Sequence, residues 1–207
     1  MNASMPDRLW DGPGVDAWRP WTPTELARRL AGSTACWSVV GGWSVDLFVG
    51  TVTRPHHDLE IATIQPDLAA IRRCLGGACF AVGGGSVRRL ADDEPSPPGC
   101  HQHWLLDEEA GAWRVDVMVE PGDAGRWVFR RDERVSAPRH EMTGRTTNGI
   151  PFLKPHGALL YKAKAPAAKD EADFQTVVPR MDEADRQWLH TTLQLVDPGH
   201  PWLSRLP

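Results

Sequence analysis

Two glycines followed at short range by two carboxylates constrain this chain more than any other feature. The segment Gly41-Gly42-Trp43-Ser44-Val45-Asp46-Leu47-Phe48-Val49-Gly50 precedes Thr53-Arg54-Pro55-His56-His57-Asp58-Leu59-Glu60-Ile61. It reads as a strand over 37–40, a di-glycine turn, a short helix that Ser44 can cap, and a second strand carrying acids at i and i+2. Side chains alternate along a strand, so Asp58 and Glu60 project from one face while Leu59 and Ile61 turn into a core. Two hard oxygen ligands on one face suit Mg²⁺, which keeps several waters and takes one or two carboxylates plus substrate phosphates. The glycines offer backbone without a Cβ beside a helix N-terminus, whose N–H groups favour anions. Metal carboxylates next to a phosphate cradle indicate nucleotide chemistry.

Composition narrows the class. A chain of 207 residues with 41% hydrophobic content buries a core and allows one domain or two small ones. A net charge of −4 argues against binding nucleic acid or an acidic membrane surface through bulk charge. No apolar run is long enough to span a bilayer, and MNASMPDRLW lacks a basic segment followed by an apolar core, which points to a soluble cytoplasmic protein. Cys36, Cys74, Cys79 and Cys100 are too few and scattered for a secreted disulfide framework. Cys74, Cys79, Cys100, His101 and His103 match no common zinc spacing, and buried thiols with strand-edge histidines are the simpler account. The ten tryptophans share no period and read as core. Trp43, beside the di-glycine, can either shape a nucleotide pocket or simply pack.

Along the chain, residues 1–21 read as an arm laid over the body. Thr22-Pro23-Thr24-Glu25 is a capping box with proline at the first helical position, so a helix opens there. Gln65-Pro66-Asp67 starts another, whose Leu68, Ile71 and Leu75 share a face. Gly83-Gly84-Gly85-Ser86 lacks the Gly-Lys-Ser/Thr ending of a phosphate loop and reads as a bend. Strands follow over 103–106 and 113–119. In the second, Asp116 is a lone acid in an apolar run, which pattern alone would place at a surface. The arginine-rich stretch 121–148 can line a triphosphate entrance or be a solvated face. Asn148-Gly149 is a turn signal and a domain boundary, and helical segments over 156–165, 169–177 and 182–196 complete the chain.

GGWSVDLFVG followed by RPHHDLEI resembles the nucleotidyltransferases of the polymerase-beta-like superfamily, and among them the aminoglycoside and lincosamide adenylyltransferase-like proteins. The resemblance implies an α+β fold: a nucleotidyltransferase-type mixed sheet flanked by helices over 22–148, then a C-terminal helical domain over 149–207. It implies a third carboxylate on a neighbouring strand, and Arg114-Val115-Asp116-Val117 is the corresponding segment. Asp58, Glu60 and Asp116 are then the metal and catalytic residues. Glu120 is the nearest rival to Asp116, but it borders a proline. The resemblance further assigns Lys162, in a YKAK segment, to the nucleotide. Position alone adds Gly41, Gly42 and Trp43, and also Arg54 and His56, which flank the acidic strand and can touch phosphate or only pack their own loop. The nearby KDEAD segment also resembles a family segment, and charge pairing on an exposed helix accounts for it equally well.

The implied reaction moves a nucleoside monophosphate, AMP by the family's habit, from an NTP to a hydroxyl of a small molecule. Two Mg²⁺ ions would serve it, and the acceptor would be an aminoglycoside- or lincosamide-like antibiotic. This chain departs from the pattern at His57, where many relatives have an acid, and at Glu60, where they have aspartate. The alternatives are a noncatalytic nucleotidyltransferase-fold module that binds a partner, as antitoxin-like members do, and a zinc hydrolase using His56, His57 and His101.

Overall fold

The computed structural model describes residues 12–207, so the beginning of the expected arm, Trp10 included, lies outside the described residues. In chain order the elements are α1 (Pro23–Arg29), β1 (Trp37–Val39), α2 (Gly41–Val49), β2 (Glu60–Ile64), α3 (Leu68–Leu75), β3 (Ala78–Gly83), β4 (Ser86–Arg89), β5 (Gln102–Asp107) and β6 (Ala112–Glu120). There follow β7 (Arg126–Val128), β8 (Ser136–Pro138), α4 (Arg139–Met142), β9 (Thr143–Arg145), β10 (Pro151–Leu153), α5 (Pro155–Lys162), α6 (Ala168–Val177) and α7 (Glu183–Val196). They form two compact units. Among the described residues the first comprises 12–37 with His56–Glu120, and the second comprises Ser38–Pro55 with Pro121–Pro207.

The first unit is a mixed sheet in the order β4-β3-β5-β6-β2. Strand β2 runs parallel to β6, and the other neighbours are antiparallel. A parallel pair needs a crossover, which α3 begins, burying Leu68, Ile71 and Leu75 as their spacing predicts. The glycine run is the tight turn of the β3–β4 hairpin, with Gly83 opposite Ser86. The capping box of α1 is complete: Thr22 N–H donates to Glu25 Oε2 at 2.7 Å and Glu25 N–H to Thr22 Oγ1 at 3.2 Å. Residues 17–19 lie against β6, through Trp113 N–H to Ala17 O at 3.0 Å and Arg19 N–H to Trp113 O at 3.1 Å. Trp113 is wholly buried. It meets Phe80 at 5.1 Å and Trp104 at 5.3 Å, edge to face, an arrangement aromatic quadrupoles favour.

In the second unit β1 pairs parallel with β10, and β10 pairs with β9 through a hairpin whose turn holds Asn148-Gly149. Helices α5, α6 and α7 form as expected. The core is drawn from Val45, Trp127, Phe129, Leu159, Phe174, Leu189, Leu193 and Trp202. Two local expectations are corrected. The di-glycine is no turn preceding a helix: α2 begins at Gly41, whose φ of +65° only glycine adopts freely. Ser44 does not cap, because its Oγ donates back to Gly41 O at 2.8 Å. Several arginines of 121–148 serve their own loop: Arg139 Nε donates to Asp123 O at 2.7 Å and Arg134 pairs with Asp132. Among the described residues no helix is long and apolar enough to cross a membrane.

The α3–β3 joint rests on two left-handed glycines. Gly76 has open space where a Cβ would stand, whereas a Cβ on Gly77 would collide with the Leu106 carbonyl. Gly76, at φ +66° and ψ −170°, stands in a region open essentially to glycine alone, so Gly76→Ala is expected to cost about 1–3 kcal/mol of backbone strain, and Gly77→Ala distinctly more. Urea unfolding of the two variants measures the difference; equal losses would show that the carbonyl yields.

Candidate active site

Strand alternation puts the acids of the first unit together. The extended chain reaches the sheet before β2 formally begins, since Asp116 N–H donates to Leu59 O at 2.8 Å. Leu59 and Ile61 are fully buried, while Asp58 is exposed and Glu60 half-buried. The parallel register then sets Glu60 directly opposite Asp116. Glu120, the rival acid, pairs instead with Ile64.

Asp116 is only 4% exposed, so the surface reading of its pattern does not hold. Gln102 Nε2 donates to its Oδ2 at 2.6 Å from the adjoining β5. Its Oδ1 is buried without a hydrogen bond, as is Nε1 of Trp104, the residue opposite on β5. Burial pushes the Asp116 carboxyl up to about 8; Glu60 and Asp58 add to the rise, and the hydrogen bond from Gln102 opposes it, as does the Trp104 indole N–H, which stands on the facing strand without reaching hydrogen-bond geometry. Loss of hydration is the leading cause because a carboxylate leaves a large solvation energy behind in water. A buried oxygen with no donor, beside two further acids, is the environment a cation relieves. The donor set therefore fits Mg²⁺, with Asp58, Glu60 and Asp116 as the ligands available. Among the described residues no three His, Cys, Asp or Glu side chains are already gathered as a metal cage. Glu60 and Asp116 are opposite one another on paired strands, and Asp58 lies just before the first of them. His103 shares a 2.9 Å contact with Ser96 Oγ, and burial depresses its pKa to about 4.

The second unit holds the remaining expected residues. Gly41 and Gly42 are the first residues of α2, and no side chain caps that helix start. Trp43 follows in the first turn, half-buried. Asp46, buried on the same helix, accepts from Thr53 N–H at 3.1 Å and Thr53 Oγ1 at 2.5 Å. That link fixes the loop from which Arg54 emerges. Arg54 then forks onto Asp173, Nε to Oδ1 at 3.4 Å and Nη2 to Oδ2 at 3.3 Å. Lys162 Nζ lies 2.9 Å from both Asp170 Oδ1 and Asp173 Oδ2. Burial alone would lower the Lys162 pKa, but the two carboxylates outweigh it and the net shift is upward. KDEAD is thus divided: Lys169 is exposed and Glu171 pairs at the surface with Gln175 and Arg205, while Asp170 and Asp173 are buried. The signal that could have found Asp170 and Asp173 is their i, i+3 spacing, which sets both on one helix face.

Comparison with known proteins follows from this geometry. The family model for aminoglycoside-2''-adenylyltransferases matches residues 24–174. Among solved structures, the lincosamide antibiotic adenylyltransferase LnuA with lincomycin bound is similar at a TM-score of 0.53 and 18% identity, covering 76% of this chain and 97% of that one. ANT(2'')-Ia in complex with adenylyl-2''-tobramycin is similar at a TM-score of 0.53 and 12% identity, covering 84% of this chain and 95% of that one. At such identities the likeness is one of fold, and that fold is the nucleotidyltransferase α+β fold. A search of curated proteins finds no match.

The raised pKa of Asp116 has a stability consequence. The folded, metal-free chain keeps a proton that the unfolded chain has lost between about pH 4 and 8, so stability should fall as pH rises through that window. The slope from this group is at most about 1.4 kcal/mol per pH unit. Denaturant midpoints measured in chelator across the window should decline more steeply for wild type than for Asp116→Asn. Parallel profiles would mean the carboxyl titrates normally.

Proposed function

Because the chain belongs to the aminoglycoside-2''-adenylyltransferase family, we propose that it transfers AMP from ATP to a hydroxyl of an aminoglycoside- or lincosamide-like antibiotic, releasing pyrophosphate. The observation that carries this reading is Asp116, buried opposite Glu60 with one oxygen left without a donor. The acceptor oxygen forms a bond to the α-phosphorus as the bond to the β-phosphate oxygen breaks, and the acceptor's proton must leave.

Asp58 and Glu60 are assigned as shared Mg²⁺ ligands, and Asp116 completes a second metal position or takes the acceptor's proton. Bound Mg²⁺, as one ion or two, would supply charge neutralisation and Lewis acidity at the phosphates. In the metal-free chain the Asp116 carboxyl is pushed up to about 8; a bound cation would favour its ionised form, the form that can accept the acceptor's proton. Gly41, Gly42 and Trp43 are assigned to the nucleotide: helix-start N–H groups attract anions, and glycine leaves the backbone open to them. Arg54 and Lys162 are assigned to its phosphates. A cytoplasmic location, where ATP is abundant, follows from the same reading.

Calorimetric titration of ATP and GTP, with and without Mg²⁺, is the first test. Wild type should bind ATP in a metal-dependent manner that Asp58→Asn/Glu60→Gln loses. Asp58→Asn should leave the melting temperature unchanged or raised, since it relieves repulsion among acids. Pyrophosphate release with tobramycin or lincomycin as acceptor should fall by about a thousandfold in Asp116→Asn. Metal-dependent ATP binding with no transfer to any hydroxyl acceptor would favour a noncatalytic binding module instead.

A further inference from the structure

We propose that Asp173 is a positioning residue for this reaction, fixing Arg54 and Lys162 as one cationic pair for the nucleotide's phosphates. The inference rests on the nucleotide reading of those two cations. Asp173 Oδ2 is shared, lying 2.9 Å from Lys162 Nζ and 3.3 Å from Arg54 Nη2, while its Oδ1 takes Arg54 Nε at 3.4 Å. A single carboxylate thereby joins the loop after α2 to α5, with α6 as the base of the joint. Two like charges this close would repel, and a shared acid between them offsets that repulsion.

A general stabilising role explains the arrangement less well. The start of α6 is already served by Asp170, whose Oδ2 accepts from Ala167 N–H at 3.0 Å while its Oδ1 holds Lys162. Asp173 is needed for neither task, yet its side chain is only 3% exposed. Burying a carboxylate merely to make an ion pair is a poor source of stability, because lost hydration cancels most of the attraction. What it does provide is fixed geometry. A guanidinium held through Nε and Nη2 has its plane set, and planar recognition of a phosphate depends on that plane.

The test is ATP affinity by calorimetry, and KM against kcat in the transfer assay, for the full chain carrying Arg54→Ala, Asp173→Asn, Asp173→Glu and Arg54→Ala/Asp173→Asn. Asp173→Asn should weaken ATP binding about tenfold and raise KM for ATP with little change in kcat. Asp173→Glu, which keeps the charge but moves it by a methylene, should fall between wild type and Asp173→Asn. The double variant should be no weaker than Arg54→Ala, because the two act as a unit. ATP affinity unchanged in Asp173→Asn, or effects that add in the double variant, overturns the inference and leaves the nucleotide reading standing. If Asp173→Asn does not fold, Asp173→Glu decides, and a wild-type KM there overturns the proposal. ATP affinity unchanged in Arg54→Ala removes the nucleotide role of Arg54, and this inference with it.

Discussion

Burial of the Asp116 carboxyl beside Glu60 and Asp58 is the constraint on which the first unit depends. A charged carboxylate there has lost most of its water and faces two like charges, and a rise to about 8 is the consequence. Such a group persists only where the surrounding backbone is fixed by other interactions. Asp116 sits mid-strand in β6, with β2 on one side and β5 on the other, so its main chain has little freedom to carry the side chain out to water. The Trp113, Trp104 and Phe80 cluster stiffens the same sheet. Apolar packing and ladder hydrogen bonds therefore hold the Asp116 carboxyl out of water.

The second unit handles buried charge differently. Asp170 and Asp173 are buried, and each lies against a partly exposed cation: Lys162 against both, and Arg54 against Asp173. Cations without acids would lose hydration and gain nothing, and Lys162 would tend to deprotonate. With both acids in place the ammonium stays charged. One unit places acids beside one another, and the other balances its cations with acids.

Much of this was legible in the sequence because it was local. The capping box before α1, the face of α3, and the alternation around Leu59 and Ile61 each depend on residues a few positions apart. Asp58 and Glu60 are legible through a motif. What sequence could not supply was pairing across long separations. Asp116 looks exposed by alternation alone, since nothing in its own strand reveals that β2 and β5 cover it on both sides. The residues Ser38–Pro55 carry the motif, yet they pack with Pro121–Pro207, a choice made by the strand pairing of Val39 with Phe152. KDEAD stays open in the sequence for a related reason: charge at i, i+3 spacing suits both solvent and a buried lysine, and only the position of Lys162 on α5 separates the two.

The departure at Glu60 can be weighed against the same geometry. A glutamate carries its charge one methylene further from the backbone than aspartate, which ought to weaken its influence on a neighbour. Yet Glu60 raises the Asp116 carboxyl more than Asp58 does. The order follows from placement rather than side-chain length. Glu60 stands opposite Asp116 and is half-buried, whereas Asp58 precedes the strand and is exposed, so water screens it. Register, set by the Leu59 carbonyl and the Asp116 amide, thus decides which acid couples to Asp116. A longer arm at that position preserves the coupling, and the replacement of aspartate by glutamate leaves the electrostatic logic of the site intact.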